Sequence, residues 1–173
     1  MGSNNHKLVG LAFGAAALAS GLSMAGTASA TAGGGLKSYC KDTAAASAAG
    51  YTVIQVVQGF PYTGSSDDEL ILGTPGNDDI DGRGGDDIIC GFNGNDELDG
   101  GSGEDSIFGY AGEDEIDGDG GNDWLDGGLG PDDIHGSRGA DHLEGGVGDD
   151  DLVGDNGNDT CVGGAGVDSF TSC

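Results

Sequence analysis

Cationic side chains are nearly missing from this 173-residue chain, in which five Lys and Arg stand against 31 Asp and Glu for a formal net charge of -26. A surface of that sign repels phosphate backbones and anionic headgroups, so nucleic-acid binding and membrane insertion are not expected. Aromatic residues make up only 6% of the chain, too few to fill a thick globular core. Catalytic signatures are missing as well: there is no H-E-x-x-H, no G-x-S-x-G and no C-x-x-C pair. His135 and His142, the histidines beyond the first thirty residues, stand apart. No enzymatic activity is expected. The one long apolar run, Leu8 to Ala25, follows a short start with His6 and Lys7 and precedes Ala28-Ser29-Ala30. That order predicts a secretory signal peptide over 1–30, cleaved after Ala30, and a secreted, extracellular protein.

Glycine is abundant, 39 residues, and it is strictly placed. From Gly73 to Thr171 the chain reads GTPGNDDID, GRGGDDIIC, GFNGNDELD, GGSGEDSIF, GYAGEDEID, GDGGNDWLD, GGLGPDDIH, GSRGADHLE, GGVGDDDLV, GDNGNDTCV and GGAGVDSFT. Positions 1 and 4 are Gly and position 6 is Asp in every copy. Position 8 is apolar throughout if Cys161 is counted. Such a period dictates a repeat architecture before any other consideration.

Two glycines in the first four positions permit a tight turn, and the last three positions place one apolar residue between two that point the other way. A strand of about three residues cannot stand alone, so successive strands must stack in parallel. Ile80, Ile89, Leu98, Ile107, Ile116, Leu125, Ile134, Leu143, Leu152, Cys161 and Phe170 would fill a thin interior. With two nonapeptides per coil, odd repeats form one sheet and even repeats the other, and the turns stack along both edges at roughly 4.8 Å. The expected fold is all-β, a right-handed parallel β-solenoid or β-roll with a small N-terminal cap.

That stacking puts Asp78, Asp96, Asp114, Asp132, Asp150 and Asp168 in one file and Asp87, Asp105, Asp123, Asp141 and Asp159 in the other. Bare carboxylates at strand spacing repel. A hard divalent cation takes six to eight oxygens at about 2.3 to 2.6 Å, which stacked Asp side chains and glycine-turn carbonyls can supply. Calcium between adjacent turns is therefore expected, at most about nine ions from the gaps in the two files.

The unit resembles the G-G-x-G-x-D-x-U-x nonapeptide of RTX, or hemolysin-type, calcium-binding repeats. The resemblance implies a parallel β-roll whose turns bind calcium through Asp side chains and backbone carbonyls, with the ligand role carried onto the eleven position-6 aspartates. Position 2 departs from Gly in seven copies, including Arg83, Phe92 and Tyr110, which is expected to weaken individual turns. The long hydrophobic segments of the family's cytolysins are missing.

Residues 31–72 read as a cap segment, 73–171 as the eleven repeats and 172–173 as the C-terminal end. Within the cap, residues 31–39 are expected to be loose and Asp42 to Ala49 to form a short helix stopped by Gly50. Tyr51 to Gln58 reads as a strand and GFPYTG as a turn. Gly64 to Leu72 looks like a decayed repeat with Glu69 at the Asp position. Cys40, Cys90, Cys161 and Cys173 are an even set in an oxidising compartment; of three pairings, Cys40 with Cys90 and Cys161 with Cys173 are favoured.

Position 7 carries Asp79, Glu97, Glu115, Asp133 and Asp151 in odd repeats but Ile88, Ser106, Trp124, His142 and Thr160 in even ones. One outer face is thus an acidic ladder, suited to solubility or to a cationic or calcium-bridged surface partner. The other is expected to receive the cap. The function expected is a calcium-folded, non-catalytic binding or surface module. Alternatives are a structural or adhesive cell-envelope component bridging through calcium, or an accessory subunit of a secreted enzyme; oligomeric state is left open.

Overall fold

The computed structural model describes residues 36–173. The expected signal peptide, and residues 31–35 of the expected loose segment, lie outside these described residues. Two seven-stranded sheets face each other. One runs in the order β1 (Thr52–Gln55), β3 (Glu69–Leu72), β5 (Ile88–Asn93), β7 (Ser106–Ala111), β9 (Trp124–Leu129), β12 (His142–Val147) and β15 (Thr160–Ala165). The other runs β2 (Tyr62–Thr63), β4 (Asp79–Asp81), β6 (Glu97–Asp99), β8 (Glu115–Asp117), β10 (Asp133–His135), β13 (Asp151–Val153) and β16 (Ser169–Thr171). A two-stranded ladder of β11 (Arg138–Gly139) and β14 (Asn156–Gly157) joins turns on one edge.

Every pairing is parallel, and within the repeats each residue sits beside the one eighteen positions away, as in Asp79 beside Glu97 and Ile107 beside Leu125. Two nonapeptides therefore make one coil of a parallel β-solenoid, about seven coils in all. The interior is a single file of position-8 side chains from both sheets. Ile80 through Leu152 are buried and extended at the start by Ile71 and Val56, while Cys161 is partly buried. Phe170 holds the same register on the last coil but is 52% exposed.

Residues 51–72 continue the roll rather than sitting apart from it. β1 pairs with β3, and Val56 donates its N–H to Leu72 O. The turn expected over GFPYTG is only partly present: Tyr62 and Thr63 form β2, beside Ile80 and Asp81. Tyr62 has the core register there, and burial of its ring against the file outweighs the local turn preference.

A helix, α1 (Thr43–Ala49), is capped by Asp42, whose carboxylate accepts from Ala45 N at 3.0 Å, and ends at Gly50 with φ 112°. It buries Ala46 in a second cluster on the outside of the first sheet, with Cys40, Leu70, Leu72, Ile88, Cys90 and Phe108. Disulfides join Cys40 to Cys90 and Cys161 to Cys173. Lys37 pairs with Asp126 and lies over the Phe108 and Tyr110 rings at 5.2 and 5.4 Å. The apolar outer face is thus covered by the N-terminal segment as far as Trp124, which is half-buried and stacks on His142 at 3.9 Å between ring centroids. On the opposite sheet Asp79, Glu97, Glu115, Asp133 and Asp151 form an exposed acidic ladder. His135 and His142 lie on different sheets. Among the described residues no helix is long and apolar enough to cross a membrane.

Candidate metal centres in the turns

Each turn begins at a position-1 glycine and ends at the position-6 aspartate, which leads directly into the strand. Asp78 through Asp150 are all buried at this position, with Asp159 and Asp168 half-buried toward the last coil. Their two oxygens do different things. Oδ1 accepts the backbone N–H of the aspartate one coil earlier: Asp78 N to Asp96 is 2.9 Å, Asp87 N to Asp105 is 2.7 Å and Asp105 N to Asp123 is 2.8 Å. This pattern runs unbroken to Asp150 N and Asp168 and begins with Glu69 N on Asp87, so each file is a continuous hydrogen-bonded ladder.

Oδ2 has no hydrogen-bond partner in Asp87, Asp96, Asp105, Asp114, Asp123, Asp132, Asp141, Asp150 and Asp159. A buried carboxylate oxygen left unpaired is costly, and nine such atoms in a row require an explanation. Their direction supplies it. A Cβ placed on Gly82 would lie 2.6 Å from Asp87 Oδ2 and 2.8 Å from the carbonyl oxygen of Gly100, and the same convergence recurs at Gly91, Gly109, Gly136 and Gly145. Gly82 does not have a left-handed φ, so backbone conformation does not demand glycine there. Glycine is needed because an anionic oxygen and a carbonyl from the next coil converge on the space a side chain would fill.

Burial pushes the carboxyls of Asp87 through Asp150 at this position up from the ordinary carboxylate range. Asp87, Asp96, Asp105 and Asp132 rise to about 7 and Asp123 to about 8, chiefly through desolvation. The N–H bond from the preceding coil pulls each back in part, and neighbouring carboxylates push further up. A hard cation between the layers would supply the missing charge and fits the all-oxygen donor set. Among the described residues no three acidic, His or Cys side chains converge on one point, so glycine-turn carbonyls must provide the remaining ligands.

A family model described as the RTX calcium-binding nonapeptide repeat matches four times, over residues 63–98, 91–125, 126–161 and 135–170, more than half of the chain. The chain belongs to this RTX family. It is a calcium-binding RTX β-roll with stacked Asp-rich turns, and proteins with these repeats are typically secreted. Comparison with curated proteins and with solved structures gave no match.

Three features of this RTX roll were not visible in the repeat alone. Position 2 tolerates side chains because Arg83, Phe92, Tyr110, Asp119, Ser137 and Asp155 adopt left-handed φ values of 61 to 80° with their side chains outward, alongside Gly101, Gly128, Gly146 and Gly164. Position 5 builds a second ladder in the opposite sense, in which the side chain of one coil accepts the backbone N–H of the next. Asp68 accepts from Asp86 at 3.0 Å, Asp86 from Glu104 at 2.9 Å, Asn95 from Glu113 at 3.2 Å and Asp149 from Val167 at 2.9 Å. Part of the acidity beyond the position-6 aspartates is therefore structural. Position 4 is glycine because a Cβ on Gly103, Gly112 or Gly139 would collide with the carbonyl of the same position one coil back.

The position-1 cradle gives a direct test. Gly82→Ala should place its Cβ against Asp87 Oδ2 and Gly100 O, costing about 1 to 3 kcal/mol as an overpacking change. The expected result is a calcium midpoint raised about tenfold at this end of the roll; a titration matching the parent protein would show that the space is not a ligand site.

Proposed function

We propose that this RTX chain is a secreted, non-catalytic module whose roll is folded by calcium outside the cell. The observation that carries the reading is the set of nine buried Oδ2 atoms with no partner, each facing a glycine position in the turn. Bound calcium would supply positive charge between stacked turns; the chain's own residues do the rest. Position-1 glycines keep the cradle open, position-6 Oδ1 atoms tie coil to coil, and position-8 side chains exclude water from behind the site.

Export completes the logic. Extracellular modules bind calcium at about 10⁻⁴ to 10⁻³ M, so such sites would stay empty inside the cell and fill outside. Two disulfides suit an oxidising compartment. The acidic ladder on the second sheet favours one further reading, an envelope or adhesive component in which calcium bridges two copies through Asp79, Glu97, Glu115 and Asp133. Sedimentation velocity of the calcium-loaded protein separates the two: a monomer at all loadings is expected for the module, whereas assembly that grows with calcium would move the role to the envelope.

A further inference from the structure

The turns at the N-terminal end hold their carboxylates differently from the rest. In the coil that begins at Gly64, the Ser65 hydroxyl donates to Glu69 Oε1 at 3.0 Å and the Ser65 N–H to Oε2 at 3.3 Å. The Tyr62 hydroxyl adds a bond to Oε2 at 3.4 Å. In the next turn Thr74 N–H donates to Asp78 Oδ2 at 2.6 Å, and the Thr74 hydroxyl lies 3.0 Å from both Asp78 oxygens. Ser65 and Thr74 occupy the same register, position 2. Neither has the left-handed φ found at position 2 from Arg83 onward. A β-branched threonine resists that conformation, and the alternative turns its N–H onto the carboxylate.

The edge of the roll is closed as well: the Gln55 amide donates to Gly73 O at 3.1 Å and to Leu72 O at 3.1 Å, while the carbonyls that converge with the Glu69 and Asp78 carboxylates are those of Gly82 and Gly91, as in the later turns. Glu69 and Asp78 are accordingly the buried turn carboxylates that leave no oxygen unpaired, while the unpaired series starts at Asp87. This same segment carries the second apolar cluster, α1 and the Cys40 to Cys90 disulfide. Its burial does not depend on a thin file of one residue per strand.

We propose that residues 36–81, with β5 tethered through Cys90, form a calcium-independent nucleus from which calcium folds the remaining coils outward. Donors of Ser65 and Thr74 hold the carboxylate oxygens that ions hold elsewhere. The proposal rests on the calcium reading of the later turns and deepens it by giving the roll a preformed template at one end. A template matters because the first coil of a repeat array has no neighbour to stack on, and later coils add to an existing edge.

Hydrogen exchange of the oxidised full chain in excess chelator at pH 8 tests it. Backbone amides of Val56 and Gly73, bonded to Leu72 O and Cys90 O, should exchange about a hundredfold or more slowly than amides of β8 to β13, which should exchange at free-peptide rates. Free-peptide rates over residues 51–90 as well would overturn the nucleus and leave the calcium reading intact; slow exchange throughout would overturn the calcium reading instead. Calorimetric titration of two variants gives an independent measure. Asp96→Asn should bind about one calcium fewer than the parent, whereas Asp78→Asn, which keeps an acceptor for Thr74, should bind the parent number. Loss of an ion in Asp78→Asn would sink the proposal.

Discussion

Chelation at neutral pH is expected to abolish most of the β-sheet signal in the circular dichroism spectrum, and returned calcium to restore it in one cooperative step. The reason is a comparison of magnitudes. Ordering a residue costs about 1 to 2 kcal/mol, and glycine, 39 residues here, loses the most. Against this the roll sets one buried apolar side chain per short strand. Nine carboxylates then sit with one oxygen unpaired, each carrying a penalty of several kcal/mol if it stays ionised. A typical domain is stable by only about 5 to 15 kcal/mol, so two or three such groups exhaust the margin. Cooperativity follows from the ladders, because an aspartate N–H is satisfied only when the next coil is in place. A chelated chain with the full β signal of the calcium form would refute the coupling of metal to folding.

The repeat exposed much of this in advance because a solenoid is nearly one-dimensional: a residue's neighbours are set by its position in the unit and by the coil length. Given two nonapeptides per coil, the eighteen-residue period of position 7, acidic in Asp79 and Glu97 but apolar or neutral in Ile88 and Ser106, marks two unlike faces. Tyr62 was hidden because its strand is two residues long and its sequence, between Pro61 and Gly64, reads locally as a turn. Only stacking on Ile80 makes it a strand. The same limit applies at Asp78. The repeat marks it as equivalent to Asp96, yet a threonine four residues earlier changes the turn and satisfies its carboxylate. Position 5 escaped notice because Asp, Asn and Glu look like ordinary surface residues until a backbone N–H one coil away is seen pointing at Asp86 or Asn95.

Acid should act on this protein in two ways, favouring the folded roll when calcium is absent and making calcium displace protons when it is added. In the metal-free roll Asp141 rises to about 6, Asp87, Asp96, Asp105 and Asp132 to about 7 and Asp123 to about 8, all mainly because burial disfavours the charged form. Asp114 and Asp150 are raised for the same reason. In the unfolded chain these groups return to about 3.9. A folded value above the unfolded one means that the roll binds more protons than the coil, so the contribution to stability is full below about 4 and is lost as pH rises through 6 to 8. The chelated protein should therefore gain β structure when taken from pH 8 to pH 5, a pH chosen to stay above the isoelectric point near 4.1, where loss of net charge favours precipitation. With calcium, proton and ion compete for the same Oδ2 atoms, so loading the acid-folded roll at pH 5 should release protons, whereas loading the unfolded chain at pH 8, its carboxylates already ionised, should release almost none. Circular dichroism at fixed ionic strength reads the first limb, and calorimetry in buffers of different ionisation enthalpy reads the second. Calcium binding at pH 5 without proton release would mean that the position-6 carboxylates are not the groups the ion engages.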